Sequence, residues 1–271
     1  MGAPNTPSPQ TPTPTSTNKL LDFVSPTQFV DLPSKGRFYP ENHPLHNKDS
    51  VEIRFMTAKD EDILSSESLL KKGIAIDRFV QNVILNKQIP IDSLLIGDKN
   101  AILVASRISG YGNLYETEVI CPSCSAKNQL SFDLNSVKIH YGNPESEKTE
   151  NGKYSLKLPV SKVNLELRLL TSKDEKIMVK KIREAQKKKD QSTAITDQYK
   201  MMIVSAQGVT DRFQIAQFVD LMPVEDSKML RKFYKQISPN IEMKEDFECI
   251  SCGFEQELEV PFSADFFWPK S

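Results

Sequence analysis

The chain has 271 residues, 38% apolar and 26% charged, enough to bury one or two ordinary cores. Its 35 basic side chains against 36 acidic ones leave a formal charge of −1, which removes any global electrostatic drive toward nucleic acid or anionic lipid. No run approaches the roughly 18 consecutive apolar residues of a membrane helix, and the N-terminus lacks the apolar stretch of a signal peptide. The expected place is therefore the cytosol, where thiols stay reduced and four cysteines point to metal or thiol chemistry before structural disulfides.

Residues 1–18, MGAPNTPSPQTPTPTSTN, carry too little apolar surface to offset the entropy of ordering them and read as a disordered tail. Residues 19–50 mix Phe23, Phe29, Leu32, Phe38 and Tyr39 with prolines, the composition of an extended arm. Such an arm either packs on its own domain or docks a partner. From Val51 onward the chain is periodic.

An internal repeat organises the rest. VEIRFMTAKDEDIL (residues 51–64) and LELRLLTSKDEKIM (residues 165–178) share seven of fourteen positions. The two stretches start 114 residues apart (165 − 51), whereas the pairs Cys121/Cys124 and Cys249/Cys252 start 128 apart (249 − 121). A second copy with about fourteen extra residues is implied, and the Lys-rich KKIREAQKKKDQSTAITDQ is the natural place for them. The expected divisions are residues 51–140 for the first repeat and 150–265 for the second, each ending in a cysteine knuckle.

In each copy VEIRFMT or LELRLLT alternates apolar and polar residues, the period of a half-buried strand. Thr57 and Thr171 then suit helix caps, accepting a hydrogen bond from an amide one turn on. Asp60, Glu61, Asp174 and Glu175 place negative charge against the helix dipole. These acids read as caps rather than a catalytic pair. Helices are predicted over residues 98–112 and 223–238, from the apolar faces Ala101, Ile102, Ala105, Ile108 and Met229, Leu230, Phe233, Ile237.

Beyond each helix the pattern turns to β. Leu130, Phe132 and Leu134 alternate after the first knuckle, and Leu258, Val260 and Phe262 after the second, which sets each Cys-x-x-Cys at the tip of a hairpin. A redox dithiol is instead activated at a helix N-terminus. Two facing knuckles supply four thiolates, the donor set of a closed tetrahedral site. Cys121, Cys124, Cys249 and Cys252 are therefore the expected ligands of one structural Zn²⁺ per chain, a zinc-ribbon-like site shared by two homologous strand-helix-hairpin halves of an α+β protein. Thiol oxidoreduction and reduced, unligated cysteines are the competing readings. His43, His46 and His140 sit in loops and are expected to be solvated.

No phosphate-cradling loop, no HExxH and no G-x-S-x-G occurs. The basic run KKIREAQKKKD, residues 180–190, reads as a solvated helix face before a polyanion site. An enzyme and a small-molecule substrate are not expected. A nucleic-acid-binding zinc-ribbon regulator is the runner-up, opposed by the near-zero charge and the lack of aromatics within the basic run.

LPSKGRFYPENHPL, VEIRFMTAKDEDIL, LLIGDKNAILVASRISGYG and TEVICPSC together resemble the baseplate protein family of T-even-like contractile-tail bacteriophages, most strongly over residues 32–134. The resemblance implies a non-enzymatic role as a baseplate hub subunit or hub assembly chaperone. Its partners would be hub and tail proteins. It would act in the cytoplasm of the infected bacterium during assembly, and either stay in the virion tail baseplate or leave once assembly is complete, with no membrane involved. The Pro/Thr tail and the Lys-rich insertion have no counterpart in that pattern.

Overall fold

Two strands, β1 (Thr27–Asp31) and β2 (Ser50–Arg54), open the ordered part of the chain as an antiparallel pair with Val30 opposite Val51. The computed structural model describes residues 25–143, 153–188, 193–260 and 264–267. The tail expected over residues 1–18 lies outside the described residues, as do the first positions of the arm with Phe23, and Lys189 and Asp190 of the basic run. The described part of the arm packs on its own chain: Val30, Leu32, Tyr39 and Leu45 are buried in the same core as Val51 and Ile53, while Phe29 stays 71% exposed. Asp98 fastens the loop between β1 and β2, accepting from the Ser34 amide at 2.9 Å, the Ser34 hydroxyl at 2.6 Å and the Tyr39 hydroxyl at 2.6 Å. The loop closes so tightly at Gly36 (φ 68°) that a Cβ there would lie 2.3 Å from the Leu45 carbonyl oxygen.

The first half continues through α1 (Ala58–Ser65), α2 (Glu67–Lys72), α3 (Ala75–Val83), a short 3₁₀ turn at Ile91–Ser93 and α4 (Ile96–Tyr111). The hairpin β3 (Leu114–Ile120) and β4 (Lys127–Asp133) follows, then β5 (Lys138–His140). The second half runs β6 (Tyr154–Lys157), β7 (Asn164–Leu167), α5 (Ser172–Lys188), α6 (Ala194–Met202), β8 (Ile203–Ala206), α7 (Arg212–Asp220) and α8 (Val224–Ile237). It ends in β9 (Asn240–Glu242), the hairpin β10 (Lys244–Glu248) and β11 (Glu255–Glu259), and a 3₁₀ turn at Ala264–Phe267. The mixed helix and strand content and both hairpins follow the sequence pattern, and the helices predicted over 98–112 and 223–238 are α4 and α8.

The second half is longer than the first between comparable strand pairings. Ile84 bridges Ile53 as Ile203 pairs with Leu167, so Ile84 and Ile203 hold matching places. Thr57 to Ile84 spans 27 positions (84 − 57) against 32 from Thr171 to Ile203 (203 − 171), and Ile84 to Ile96 spans 12 (96 − 84) against 21 from Ile203 to Val224 (224 − 203). The second-half span is thus five residues longer through the α5–α6 region and nine longer around β8 and α7. The offset between repeated motifs fixes the total but not its distribution, because no shared residues mark the stretch between.

The two halves interlock. The first core also takes in Ile241, Met243, Val260, Phe266 and Phe267 from the end of the chain. Arg107 of α4 is buried and spends its three described hydrogen bonds on carbonyls of Phe266, Gly112 and Leu114, tying the last turn to the first hairpin. β5 of the first half pairs with β9 of the second, Ile139 opposite Ile241. Leu94–Ile96 meets Leu170–Ser172 through Ser172 N–H to Leu94 C=O at 2.8 Å and Ile96 N–H to Leu170 C=O at 3.3 Å. Lys99 beside this seam is 4% exposed and paired with Asp77 and Glu175. The described part of the basic run belongs to α5. There Lys181 meets Asp197 at 2.7 Å and Arg183 donates to the Leu70 carbonyl at 3.1 Å, so part of its charge is used within the chain. Among the described residues no helix is long and apolar enough to cross a membrane.

Candidate metal centre

The four cysteines converge at the tips of the two hairpins, although Cys124 and Cys249 stand 125 residues apart. Each knuckle is built by the same backbone closure. The Cys121 amide donates to the Ala126 carbonyl and the Ser125 amide to the Cys121 carbonyl, both at 2.9 Å; the Cys249 amide donates to Phe254 at 2.9 Å and the Gly253 amide to Cys249 at 2.8 Å. Both loops turn through a left-handed residue at the same place, Ser125 (φ 60°) and Gly253 (φ 66°). The closure swings the two sulfurs of each pair to one side.

The sulfurs cross-match between knuckles: Cys121 Sγ lies 3.8 Å from Cys252 Sγ, and Cys124 Sγ lies 3.7 Å from Cys249 Sγ. All four lie within 4.8 Å of one another. A regular tetrahedron with metal–sulfur bonds of about 2.3 Å has sulfur–sulfur edges of about 3.8 Å. The four side chains could therefore hold one metal ion. The first cysteine of each knuckle is buried at 1% exposure, packed with Val119 and Phe247, while the second faces outward. Free of metal, the Cys249 and Cys124 thiols do not ionise alike. Burial pushes Cys249 up, but the amides of Ser251 and Cys252 outweigh it and hold the thiol at about 6. At Cys124 the Ala126 backbone favours the thiolate, yet the neighbouring sulfurs, Cys252 first, carry it up to about 12. Four adjacent thiolates need a cation to coexist.

A family model described as "T4 bacteriophage base plate protein" matches residues 26–268. The chain belongs to that family. No curated protein and no solved structure matches it. Membership points to a structural component of the phage tail that meets other base plate proteins.

In this base plate protein the candidate centre also draws on a residue that sequence reading missed. Asn128, 4% exposed on β4, donates to the Ala126 carbonyl at 3.0 Å and to Cys249 Sγ at 3.6 Å, and accepts from the Ile250 amide at 3.1 Å. One side chain of the first hairpin thus orients a sulfur and the backbone of the second, the outer support that metal ligands generally require. Its signal was a polar residue at an inward strand position, between exposed Lys127 and Gln129.

The histidines hydrogen-bond elsewhere: His43 to Ser93 Oγ at 2.7 Å, His46 to the Tyr39 carbonyl at 2.7 Å and His140 to the Gln236 carbonyl at 3.0 Å. Of the acidic residues at the helix starts, Asp60 and Asp174 serve the caps, as their positions suggested, but through an unforeseen partner, whereas Glu61 accepts from the Tyr111 hydroxyl at 2.9 Å and Glu175 pairs with Lys99. Asp60 accepts from the Thr57 amide and hydroxyl and is clasped by both Nη atoms of Arg54; Asp174 does the same with Thr171 and Arg168. Arg54 and Arg168 read as outward polar strand positions, yet each folds back over its own helix cap.

Ser125 offers a direct test of the knuckle geometry. A side chain in the left-handed region costs roughly 1–2 kcal/mol, whereas glycine adds roughly 0.5–1 kcal/mol of chain entropy to be lost. Ser125→Gly, which copies Gly253, is expected to stabilise the metal-loaded protein by about 0.5–1 kcal/mol in denaturant titration. A loss of stability would mean that the Ser125 side chain itself contributes to the turn.

Proposed function

We propose that the chain is a non-enzymatic baseplate hub subunit or hub assembly chaperone, built as a duplicated module stapled by one structural Zn²⁺. The two copies are residues 51–140 and 150–265, and Cys121, Cys124, Cys249 and Cys252 are the ligands. Hub and tail proteins are its partners, and it works in the host cytoplasm during assembly before residing at the virion tail. No small-molecule substrate and no membrane enters this role.

One observation carries the reading: each knuckle's sulfurs face the other knuckle in reciprocal fashion, first cysteine to second and second to first. A closed set of four thiolates suits a structural zinc, with no open position for a substrate. Duplication draws further support from the recurrence of the Arg–Asp–Thr cap and from the 25 positions that separate both Ile96 from Cys121 (121 − 96) and Val224 from Cys249 (249 − 224). A staple between halves rigidifies a scaffold, which is what an assembly component needs.

Elemental analysis of protein purified without chelator is expected to give about one zinc per chain. Affinity isolation from infected cells is expected to bring down hub and tail proteins. A fully folded, metal-free preparation would remove the zinc, and polymerase or ribosomal partners would overturn the assembly role.

A further inference from the structure

A cleft of about 730 Å³ lies between the β1–β2 loop and the second half. Its apolar lining includes Leu95 and Leu167, both buried, and the rings of Phe38 and Tyr154, 6.1 Å apart. Its charged lining is cationic: Arg37, Lys153, Arg168 and Lys173 stand against one carboxylate, Asp92, which Lys176 already holds at 2.5 Å. Arg168 is taken by Asp174 and Lys153 meets Glu166 at 3.6 Å. Arg37 donates to the carbonyls of Ser34 and Tyr141, and Lys173 is exposed; among the described residues neither of these two cations meets a carboxylate. A part-apolar hollow of this size seats a ligand, and its uncompensated cations select an anionic one.

The complementary shape is on the same chain. In the second hairpin Glu248 stands opposite Glu255 and Asp246 opposite Glu257, and all four are exposed. Like charges facing each other across a strand pair destabilise it. Among the described residues only Glu257 of the four has a cation, Lys244 at 3.1 Å. The first hairpin avoids the conflict: Ser131 faces Glu116, Gln129 faces Glu118, and Lys127 pairs with Glu118. At the tip of the acidic hairpin Ile250 is 87% exposed. The tip is thus an apolar knob with an anionic collar.

We infer that the tip of the second hairpin docks in the cleft of a second copy of this chain, Ile250 against the apolar lining and Glu248 and Glu255 toward Arg37 and Lys173. None of the described residues lining the cleft belongs to a hairpin. The contact therefore joins two copies head to tail, each offering one tip and one cleft. The net charge of −1 does not create this attraction; opposite patches on a nearly neutral chain do. The inference rests on the cleft and the charges, independently of the hub assignment.

Sedimentation velocity of the full, metal-loaded chain is expected to show association that grows with concentration and weakens in salt. Lys173→Glu and Glu255→Lys should each weaken it roughly ten-fold or more. Neither reversal endangers the fold, because an acid in the first turn of α5 favours the helix dipole and a lysine opposite Glu248 removes a like-charge pair. Ile250→Asp, at so exposed a position, should keep its metal and weaken association to the same degree. The deciding experiment mixes Lys173→Glu with Ile250→Asp at a concentration where each alone is monomeric. One brings an intact tip and the other an intact cleft, so the mixture is expected to form a one-to-one dimer and nothing larger. A monomeric wild type, association indifferent to salt or to these variants, or a mixture that stays monomeric overturns the inference. Benzoylphenylalanine at position 40, where Pro40 is exposed at the cleft, should on irradiation during phage infection crosslink to residues 246–257 of a second copy. No adduct, an adduct within one chain or an adduct to a different base plate protein overturns it equally. Failure of the hub and zinc reading would instead show in the metal content and the co-isolated proteins.

Discussion

Cys249→Ser is expected to abolish metal retention and to loosen both hairpin tips at once, the first as much as the second. The reason lies in the small size of what else holds the tips together. Their buried cluster consists of Val119, Cys121, Phe247 and Cys249, and two apolar side chains of that kind contribute roughly 1.5–3 kcal/mol each. A structural zinc bound to thiolates contributes on the order of 10 kcal/mol of apparent binding free energy. The metal therefore dominates the local balance, and losing one ligand releases both pairs. Hydrogen exchange should accelerate over residues 117–130 and 247–256 together, while amides in the two larger cores stay protected. Cys124→Ser removes an exposed sulfur and little packing, so it separates ligation from burial: equal opening by Cys124→Ser and Cys249→Ser means that the metal governs. Protection of residues 117–130 in Cys249→Ser would mean two independent turns and no shared site.

What could be read from sequence was whatever repeats along the chain. Alternation in VEIRFMT and LELRLLT located β2 and β7, apolar faces located α4 and α8, and the matched Cys-x-x-Cys pairs put four sulfurs in one place. Contacts made across long separations left no such trace. Arg107 sits buried on a helix whose apolar face does not include it, because its partners are carbonyls, Phe266 among them, which carry no side-chain signature. Asn128 reaches Cys249 only once the two hairpins face each other. The arm composition fitted either docking or packing, and the choice was made by the Ser34, Tyr39 and Asp98 contacts, which join residues about sixty positions apart. The Arg54–Asp60 pair is local and could have been found: both residues are among the seven identities, six positions apart, and both recur at Arg168 and Asp174.

Those recurring pairs are expected to differ in strength, with Asp60→Ala costing more than Asp174→Ala. Asp60 is fully buried and also accepts from Asn82 Nδ2 at 2.6 Å, so its removal strands a guanidinium, an amide N–H and a carboxamide. Breaking a buried ion pair from one side costs about 3–5 kcal/mol. Asp174 has a side chain 9% exposed and its Arg168 partner is 36% exposed, so water screens the pair and takes over part of the lost bonding; about 2 kcal/mol is the expected cost. Acid provides an independent check. Burial pushes both carboxyls up, but Arg54, the Thr57 amide and Asn82 on one side, and Arg168 and the Thr171 amide on the other, outweigh it and hold both below the usual carboxylate range. A lowered native pKa means stability that is present above the unfolded value near about 4 and lost as pH falls through the folded value. Urea titrations of wild type and both variants at a series of pH values should therefore converge below about pH 4, with the wild-type advantage over Asp60→Ala the larger at neutral pH. Proton-driven loss of metal is common to all three proteins and cancels in the differences. Equal costs for the two variants would mean that Asn82 and the deeper burial of Asp60 add nothing, and a wild-type advantage that persists unchanged into acid would mean that packing, not charge, holds the two caps.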